Sequence, residues 1–242
     1  MAGRAGRKIV RPVVSEPDRV TAILAVRDGE RYIAEALGSI VGQSTPPGEV
    51  IVVDDGSTDA TAAALEPFAE QVRVMRQEPA GVAAALNRGV AAATGELLAF
   101  LDADDVWTPN SLECRLARLA ASDEPEAVFG RITQFISPEL DPAARRRFRV
   151  DPAPARVTMF QTMLIRRNAF DRVGPLATDY VIGANIDWMS RARTADVRTA
   201  DVPDVVACRR IHGSNVGVTA RHRQTVDLVQ VVRAHRLRNL SG

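Results

Sequence analysis

"EVIVVDDGSTDATAAAL", residues 49–65, decides the fold. Four consecutive β-branched residues, Val50 to Val53, precede the polar turn Asp54-Asp55-Gly56-Ser57, and an alanine-rich stretch follows. A continuous apolar run of this kind fits a strand buried on both faces, as parallel strands are. The alanine-rich stretch reads as a helix, with Ser57 or Thr58 predicted as its N-cap.

Working outward, the same unit recurs. Upstream, "VTAILAV" (20–26) is a second buried strand, and "GERYIAEALGSIVGQS" (29–44) spaces Tyr32, Ile33, Ala36, Leu37, Ile40 and Val41 as a helix stopped by "TPPG". Downstream come "QVRVMR" (71–76) as strand, "GVAAALNRGVAAAT" (81–94) as helix, "ELLAFLDADD" (96–105) as strand and "NSLECRLARLAAS" (110–122) as helix. Four βα units in succession predict an α/β fold, a mostly parallel sheet flanked by helices. Ligands of such sheets bind beyond the carboxyl ends of the strands, where both Asp54-Asp55 and Asp102 to Asp105 fall.

The regular alternation ends near Pro125. "AVFGRITQFIS" (127–137) and "VTMFQTMLIRR" (157–167) read as strands, separated by a Pro/Arg-rich loop. "NAFDRVG" (168–174) reads as a helical turn, "ANIDWMSRARTA" (184–195) as a helix and "VRTADVPDVVACRRIHG" (197–213) as one or two strands. The expected organisation is a basic, disordered leader over 1–18 and one domain over 19–220. That domain divides into a ligand-binding half (19–121) and an elaboration (122–220), and a basic amphipathic helix follows over 221–242. For that helix, packing on its own domain is preferred over peripheral contact with an anionic membrane. The run "ARRRFR" (144–149) reads as a solvated charge cluster rather than a phosphate-closing loop.

Composition narrows the function classes. With 31 basic and 30 acidic residues the net charge is +1, and 46% of residues are apolar, enough for a core. That balance lacks the positive surplus of nucleic-acid binders, so an anionic ligand must be caught locally. Two distant cysteines, Cys114 and Cys208, fit a reducing cytoplasm. No apolar run reaches the roughly 18 residues of a membrane span, and the leader lacks the apolar core of a secretory signal.

The acidic clusters carry the chemistry. A turn alone favours Asp, Gly and Ser, but two adjacent Asp at a strand end exceed what a turn demands and can accept hydrogen bonds from a nucleobase or ribose. In "LDADD" (101–105) alternate residues of an extended segment point the same way, so Asp102 and Asp104 present two carboxylates to one divalent cation, Mn²⁺ or Mg²⁺. Helix capping is the competing reading and accounts best for Asp105.

Taken together, "VTAILAVRDGERYIAEALGSI", "PPGEVIVVDDGSTDATAAAL" and "GVAAALNRGVAAATGELLAFLDADDVWTPNSL" resemble the N-terminal half of family 2 glycosyltransferases with a GT-A fold, and "RRIHGSN" (209–215) resembles the end of bacterial members. The resemblance implies a metal-dependent, inverting transfer of sugar from a nucleotide-sugar, with UDP-sugars favoured, to an acceptor hydroxyl on a glycan, lipid-linked glycan, peptide or natural product. It implies that Asp55 bonds the base while Asp54 supports the loop, and that Ala25, Val26 and Arg27 cradle the nucleotide. It further makes Asp102, Ala103 and Asp104 the DxD motif with Asp104 as main metal ligand, and sets His212 near the metal or diphosphate, against an alternative as a structural histidine.

Three departures stand out. The family's Pro-Val-Tyr-Asn reads Ala25-Val26-Arg27-Asp28, Leu86 replaces an arginine before Asn87, and Glu-Asp gives way to Ala184-Asn185. An amide has no basic lone pair, so Asn185 cannot accept a proton from an acceptor hydroxyl. Asp187 is the predicted substitute base, with Asp179 as rival. An i, i+4 pair between Asp187 and Arg191 is the alternative. A catalytically reduced nucleotide-sugar-binding module and a nucleotidyltransferase are the competing functions, while "AVRDGE" (25–30) lacks the GxGxxG of a dehydrogenase.

Overall fold

Four of the apolar runs form the parallel half of one sheet: β1 (Val20–Val26), β2 (Glu49–Asp54), β3 (Arg73–Arg76) and β4 (Leu97–Phe100). The computed structural model describes residues 19–180, 183–213 and 215, so the expected leader and the expected C-terminal helix lie outside the described residues. Val26 pairs with Asp54 and Asp54 with Arg76, so the strand carboxyl ends are level. Between the strands run α1 (Ile33–Val41), α2 (Thr61–Leu65) and α3 (Val82–Ala92), with α4 (Ser111–Leu119) following the short strand β5 (Val106–Trp107).

Both sheet faces are covered, which explains the unbroken apolar runs. Val20, Ala22, Leu24 and Val26 of β1 pack with Ile33 and Leu37 of α1 and with Leu112 of α4. Ile23, pointing the other way, packs with Leu86 and Val90 of α3. That second contact depends on Gly89, where an added Cβ would lie 2.5 Å from Ile23 Cγ2. Gly89→Val is therefore expected to cost about 1–3 kcal/mol by overpacking, read as a lower denaturation midpoint with unchanged m-value.

The second half extends the sheet with β6 (Ala127–Ile136), β7 (Ala155–Arg156), β8 (Met163–Arg166) and β9 (Thr199–Ile211). Their order is β3-β2-β1-β4-β8-β6-β9-β5, with β7 on β6. β8 runs antiparallel between β4 and β6, and β5 pairs antiparallel with the end of β9. The helices here are α5 (Pro142–Arg145), α6 (Arg167–Val173) and α7 (Ala184–Thr194). Among the described residues no helix is long and apolar enough to cross a membrane.

Two local expectations are corrected. α2 begins only at Thr61 and has no side-chain cap, because the Ser57 and Thr58 hydroxyls are engaged with the β1–α1 loop. The strand expected over 157–167 is confined to Met163–Arg166, since Phe160–Thr162 forms a 3₁₀ turn that buries Phe160 against Phe100 and Trp188. The arginine run 144–149 is largely exposed around α5, which Asp141 caps through the N–H groups of Ala143 and Ala144.

Candidate active site

The carboxyl ends of β1, β2 and β4 open into one cleft of about 2170 Å³. Ala25, Val26, Arg27, Asp55, Asp102, Ala103, Asp104 and His212 all line it, along with the start of α3 and residues of α7. A volume above the usual few hundred to a thousand cubic ångströms leaves room for two substrates.

At one corner the β1–α1 and β2–α2 loops are stitched reciprocally. Asp28 donates its N–H to Ser57 Oγ (2.9 Å) and accepts the Thr58 N–H on Oδ1 (2.8 Å), while Glu30 and the 59–60 segment exchange a similar pair. Asp28 has φ 51°, a left-handed conformation that Asp tolerates, so the departure from asparagine preserves the turn. Asp54 does not line the cleft. It accepts the Ser57 N–H (2.8 Å) and faces Arg76 at 3.6 Å, a supporting position.

Asp55 organises the next loop. Its Oδ1 accepts Gln77 Nε2 (2.8 Å) and the Ala80 N–H (2.7 Å), and its Oδ2 accepts the Gly81 N–H (2.8 Å). These bonds fold residues 77–81 over the β2 end and set the start of α3, where Gly81 has φ 92°. Asn87 of the same helix exchanges two 2.8 Å bonds with Leu176 and so ties α3 to the segment leading to α7.

The other corner is the acidic turn. The chain bends at 102–105, with the Asp105 N–H donating to Asp102 O at 3.1 Å, rather than staying extended. The carboxylates of Asp102, Asp104 and Asp105 nevertheless converge, with ligand atoms all within 4.8 Å of one another. Asp105 is not a helix cap: β5 separates it from α4, and its buried carboxylate accepts the Arg210 N–H at 2.9 Å. Asp102 meets solvent at the cleft surface, yet the crowding walls and the Asp104 charge push it up to about 7. Burial, with the two neighbouring carboxylates, also raises Asp105 well above the usual carboxyl range.

The β5–β9 register delivers the remaining groups. Because Val106 pairs with Cys208, the end of β9 runs back along the acidic turn. His212 Nε2 lies 2.9 Å from Asp104 Oδ2, Asn215 Nδ2 donates to the same oxygen at 3.0 Å, and the Tyr32 ring stands 4.7 Å from the imidazole. Arg210, Asn215 and Tyr32 are not among the site residues expected from the sequence; strand pairing brings 210–215 to 104, and Tyr32 meets the imidazole from the start of α1. Three carboxylates and an imidazole, mutually crowded and partly dehydrated, suit a hard divalent cation.

On the acceptor side, α7 turns Ala184, Asp187, Trp188 and Ala192 inward. Asp187, the predicted base, is 2% exposed and accepts Arg191 Nε at 2.8 Å, and it is absent from the cleft lining. Arg191 in turn donates to the carbonyls of Val173 and Pro175, each at 2.7 Å. Trp188 is buried between Phe170 and Phe160, with its N–H donated to Gly174 O, so its face is committed to packing. Asn185 and the exposed Asp179 do line the cleft, and the buried Asn185 Oδ1 has no hydrogen-bond partner among the described residues.

A mixed sheet whose parallel half brings Asp55 and an acidic turn to one cleft is the architecture of GT-A glycosyltransferases. TarS of S. aureus (residues 1–349, in complex with UDP) superposes with a TM-score of 0.69 at 20% identity, over 90% of this chain and 64% of that one. The mannosyltransferase PcManGT from Pyrobaculum calidifontis, in complex with GDP-Man and Mn²⁺, gives 0.68 at 25% identity over the same shares. The chain belongs to glycosyl transferase family 2, whose sequence profile matches residues 21–180. Among curated relatives, the uncharacterized glycosyltransferase alr2836 of Nostoc sp. is 38% identical over 99 residues, which is 39% of this chain and 31% of that protein. Glycosyltransferase AglE of Haloferax volcanii is 26% identical over 202 residues, 78% of this chain and 66% of that one.

Proposed function

We propose that the chain transfers a glycosyl group from a nucleotide-sugar to an acceptor hydroxyl, with inversion, using a divalent cation held by Asp102, Asp104 and His212. The observation that carries this reading is the single cleft with Asp55 at one end and the convergent acidic turn at the other. When bound, Mn²⁺ or Mg²⁺ supplies charge neutralisation at a diphosphate leaving group. The chain's own part is to hold the base at Asp55, keep the nucleotide against Ala25 to Arg27, and receive the acceptor proton as the new C–O bond forms and the bond to phosphate breaks.

Uridine diphosphate donors are favoured by the state of Asp55. A carboxylate offers about four lone-pair directions, and three are taken by Gln77, Ala80 and Gly81. The one left, on Oδ2, suits the single ring N–H of uracil. Guanine presents N1–H and an amino group side by side and would find Oδ1 already filled. Product mass from a panel of UDP- and GDP-sugars tests the reading, which expects turnover with a UDP-sugar. Turnover restricted to GDP-sugars contradicts it.

The base proposed from the geometry is Asp179, which faces the cleft, while Asp187 fixes the segment carrying it through Arg191 and the carbonyls of Val173 and Pro175. Asp179→Asn is expected to lower kcat by about 10²–10⁴ with donor affinity unchanged. Asp187→Ala is expected to cost about 3 kcal/mol, seen in thermal unfolding, by stranding Arg191. The reverse pattern restores Asp187 as the base. Asn185 on the cleft wall favours one second reading, a module that binds nucleotide-sugar without transfer, which metal-dependent binding with no donor turnover would support.

The raised Asp102 gives the cation site a pH dependence. The ion-free fold loses relative stability from this group as pH rises from the ordinary carboxyl value of 3.8 through about 7, because the folded state resists ionisation. A cation removes that penalty, so Mn²⁺ affinity is expected to fall roughly tenfold per pH unit below 7, and thermal protection by Mn²⁺ to grow between pH 6 and 8. A cytoplasmic setting is proposed with it, supported by the free thiols Cys114 and Cys208.

A further inference from the structure

We propose that Arg210 is the positioning residue that fixes the acidic turn for the cation, which rests on the cation site proposed above. Its backbone N–H donates to Asp105 Oδ1 at 2.9 Å and its Nε to the Asp104 carbonyl at 3.0 Å. Its own carbonyl accepts Asn215 Nδ2 at 3.0 Å, and that amide also donates to Asp104 Oδ2. The residue therefore holds the turn directly at the Asp104 peptide and the Asp105 carboxylate, and at the Asp104 carboxylate through Asn215, without being placed to act as a metal ligand itself.

The grip is rigid. The guanidinium lies between two rings, its Cζ 4.9 Å from the Tyr32 centroid and 4.6 Å from that of Phe135, and the side chain is 3% exposed. Glu35 Oε2 takes Nη2 at 2.5 Å and Ser137 Oγ lies 3.3 Å from Nη1. Its charge is thus largely met by Glu35, and what reaches the turn is direction rather than net charge. Three carboxylates within 4.8 Å repel one another, and a turn held only by its own backbone would splay them. By fixing Asp104 and Asp105, Arg210 holds two of the three in place before any ion arrives, so the cation bears less of the ordering cost.

Lysine cannot reproduce the fork that bonds Asp104, Ser137 and Glu35 together, and methionine keeps the stem without donors. Mn²⁺ binding to the full chain, measured at saturating UDP by the resonance signal of free Mn²⁺, is expected to weaken at least tenfold in Arg210→Met and at least fivefold in Arg210→Lys. UDP affinity in chelator is expected to stay within twofold, and the Mn²⁺ concentration for half-maximal turnover to rise while kcat at saturating Mn²⁺ recovers to within threefold. A residue that serves folding alone would lower the melting temperature and move none of these. Should neither variant fold, Glu35→Gln, at a half-exposed carboxylate, releases one arm of the guanidinium and is expected to weaken Mn²⁺ about threefold. Mn²⁺ affinity within twofold of wild type in a folded Arg210 variant, or unchanged in Glu35→Gln where neither folds, overturns the assignment. A wild-type chain that binds no Mn²⁺ at saturating UDP overturns the cation site itself.

Discussion

Asp104→Ala is expected to lower glycosyl transfer at least a thousandfold. Its Oδ2 is the oxygen on which His212 and Asn215 converge, so removing the carboxylate deletes the centre of the donor set rather than one edge of it. Loss of the charge that offsets a developing diphosphate is worth several kcal/mol, and every 1.4 kcal/mol is tenfold in rate. Asp104→Asn separates charge from shape: the amide oxygen still accepts the Asn215 amide but coordinates a hard cation weakly. A rate assay across Mn²⁺ concentrations checks both variants. Retention of a tenth or more of wild-type turnover in Asp104→Ala would remove the carboxylate from the reaction.

The second large effect falls on Asp55→Ala, and it is expected in two readouts at once. Three donors, Gln77 Nε2 and the N–H groups of Ala80 and Gly81, lose their acceptor at a buried carboxylate, and an unmet buried donor costs about 1–3 kcal/mol. The variant is therefore expected to lose about 3 kcal/mol or more of stability, together with the order of the 77–81 loop, and to bind UDP about a hundredfold more weakly. Gln77→Leu is the more selective partner experiment. It frees one direction on Asp55 Oδ1 and leaves the two backbone donors, so GDP binding should improve relative to UDP. Asp55→Ala with wild-type UDP affinity would show that the carboxylate shapes the loop and does not meet the base.

Much of the fold was legible because the signals were local. Val20 to Val26 and Val50 to Val53 could be read as buried parallel strands from unbroken apolar runs, since a sheet covered on both faces demands them. The misreadings came where side chains bond across loops. Ser57 and Thr58 look like helix caps until Asp28 is seen opposite them, and residues 157–162 look like strand until Phe160 turns into the aromatic layer. Asp105 resembles a cap by its place in "DDVW", yet the N–H it accepts belongs to Arg210, which the chain brings there only through β9 pairing with β5.

The candidate site divides the same way. Asp55, Asp102, Asp104 and His212 sit on strand ends or beside them, and all line one cleft. Asp187 was chosen for its nearness to Asn185 in sequence, but a helix rotates about 100° per residue, and two steps turn its carboxylate away from the cleft and onto Arg191. Asp179 stands on an irregular segment whose position is set by Arg191, Asn87 and Leu176, none of which announces that role in the sequence.

The most direct measurement is a calorimetric titration of UDP into the wild-type chain at pH 7.5, once in Mn²⁺ and once in chelator. A cation shared between the acidic turn and a diphosphate should tighten UDP at least tenfold in Mn²⁺. Equal affinity in the two titrations, or no UDP binding in either, would contradict it.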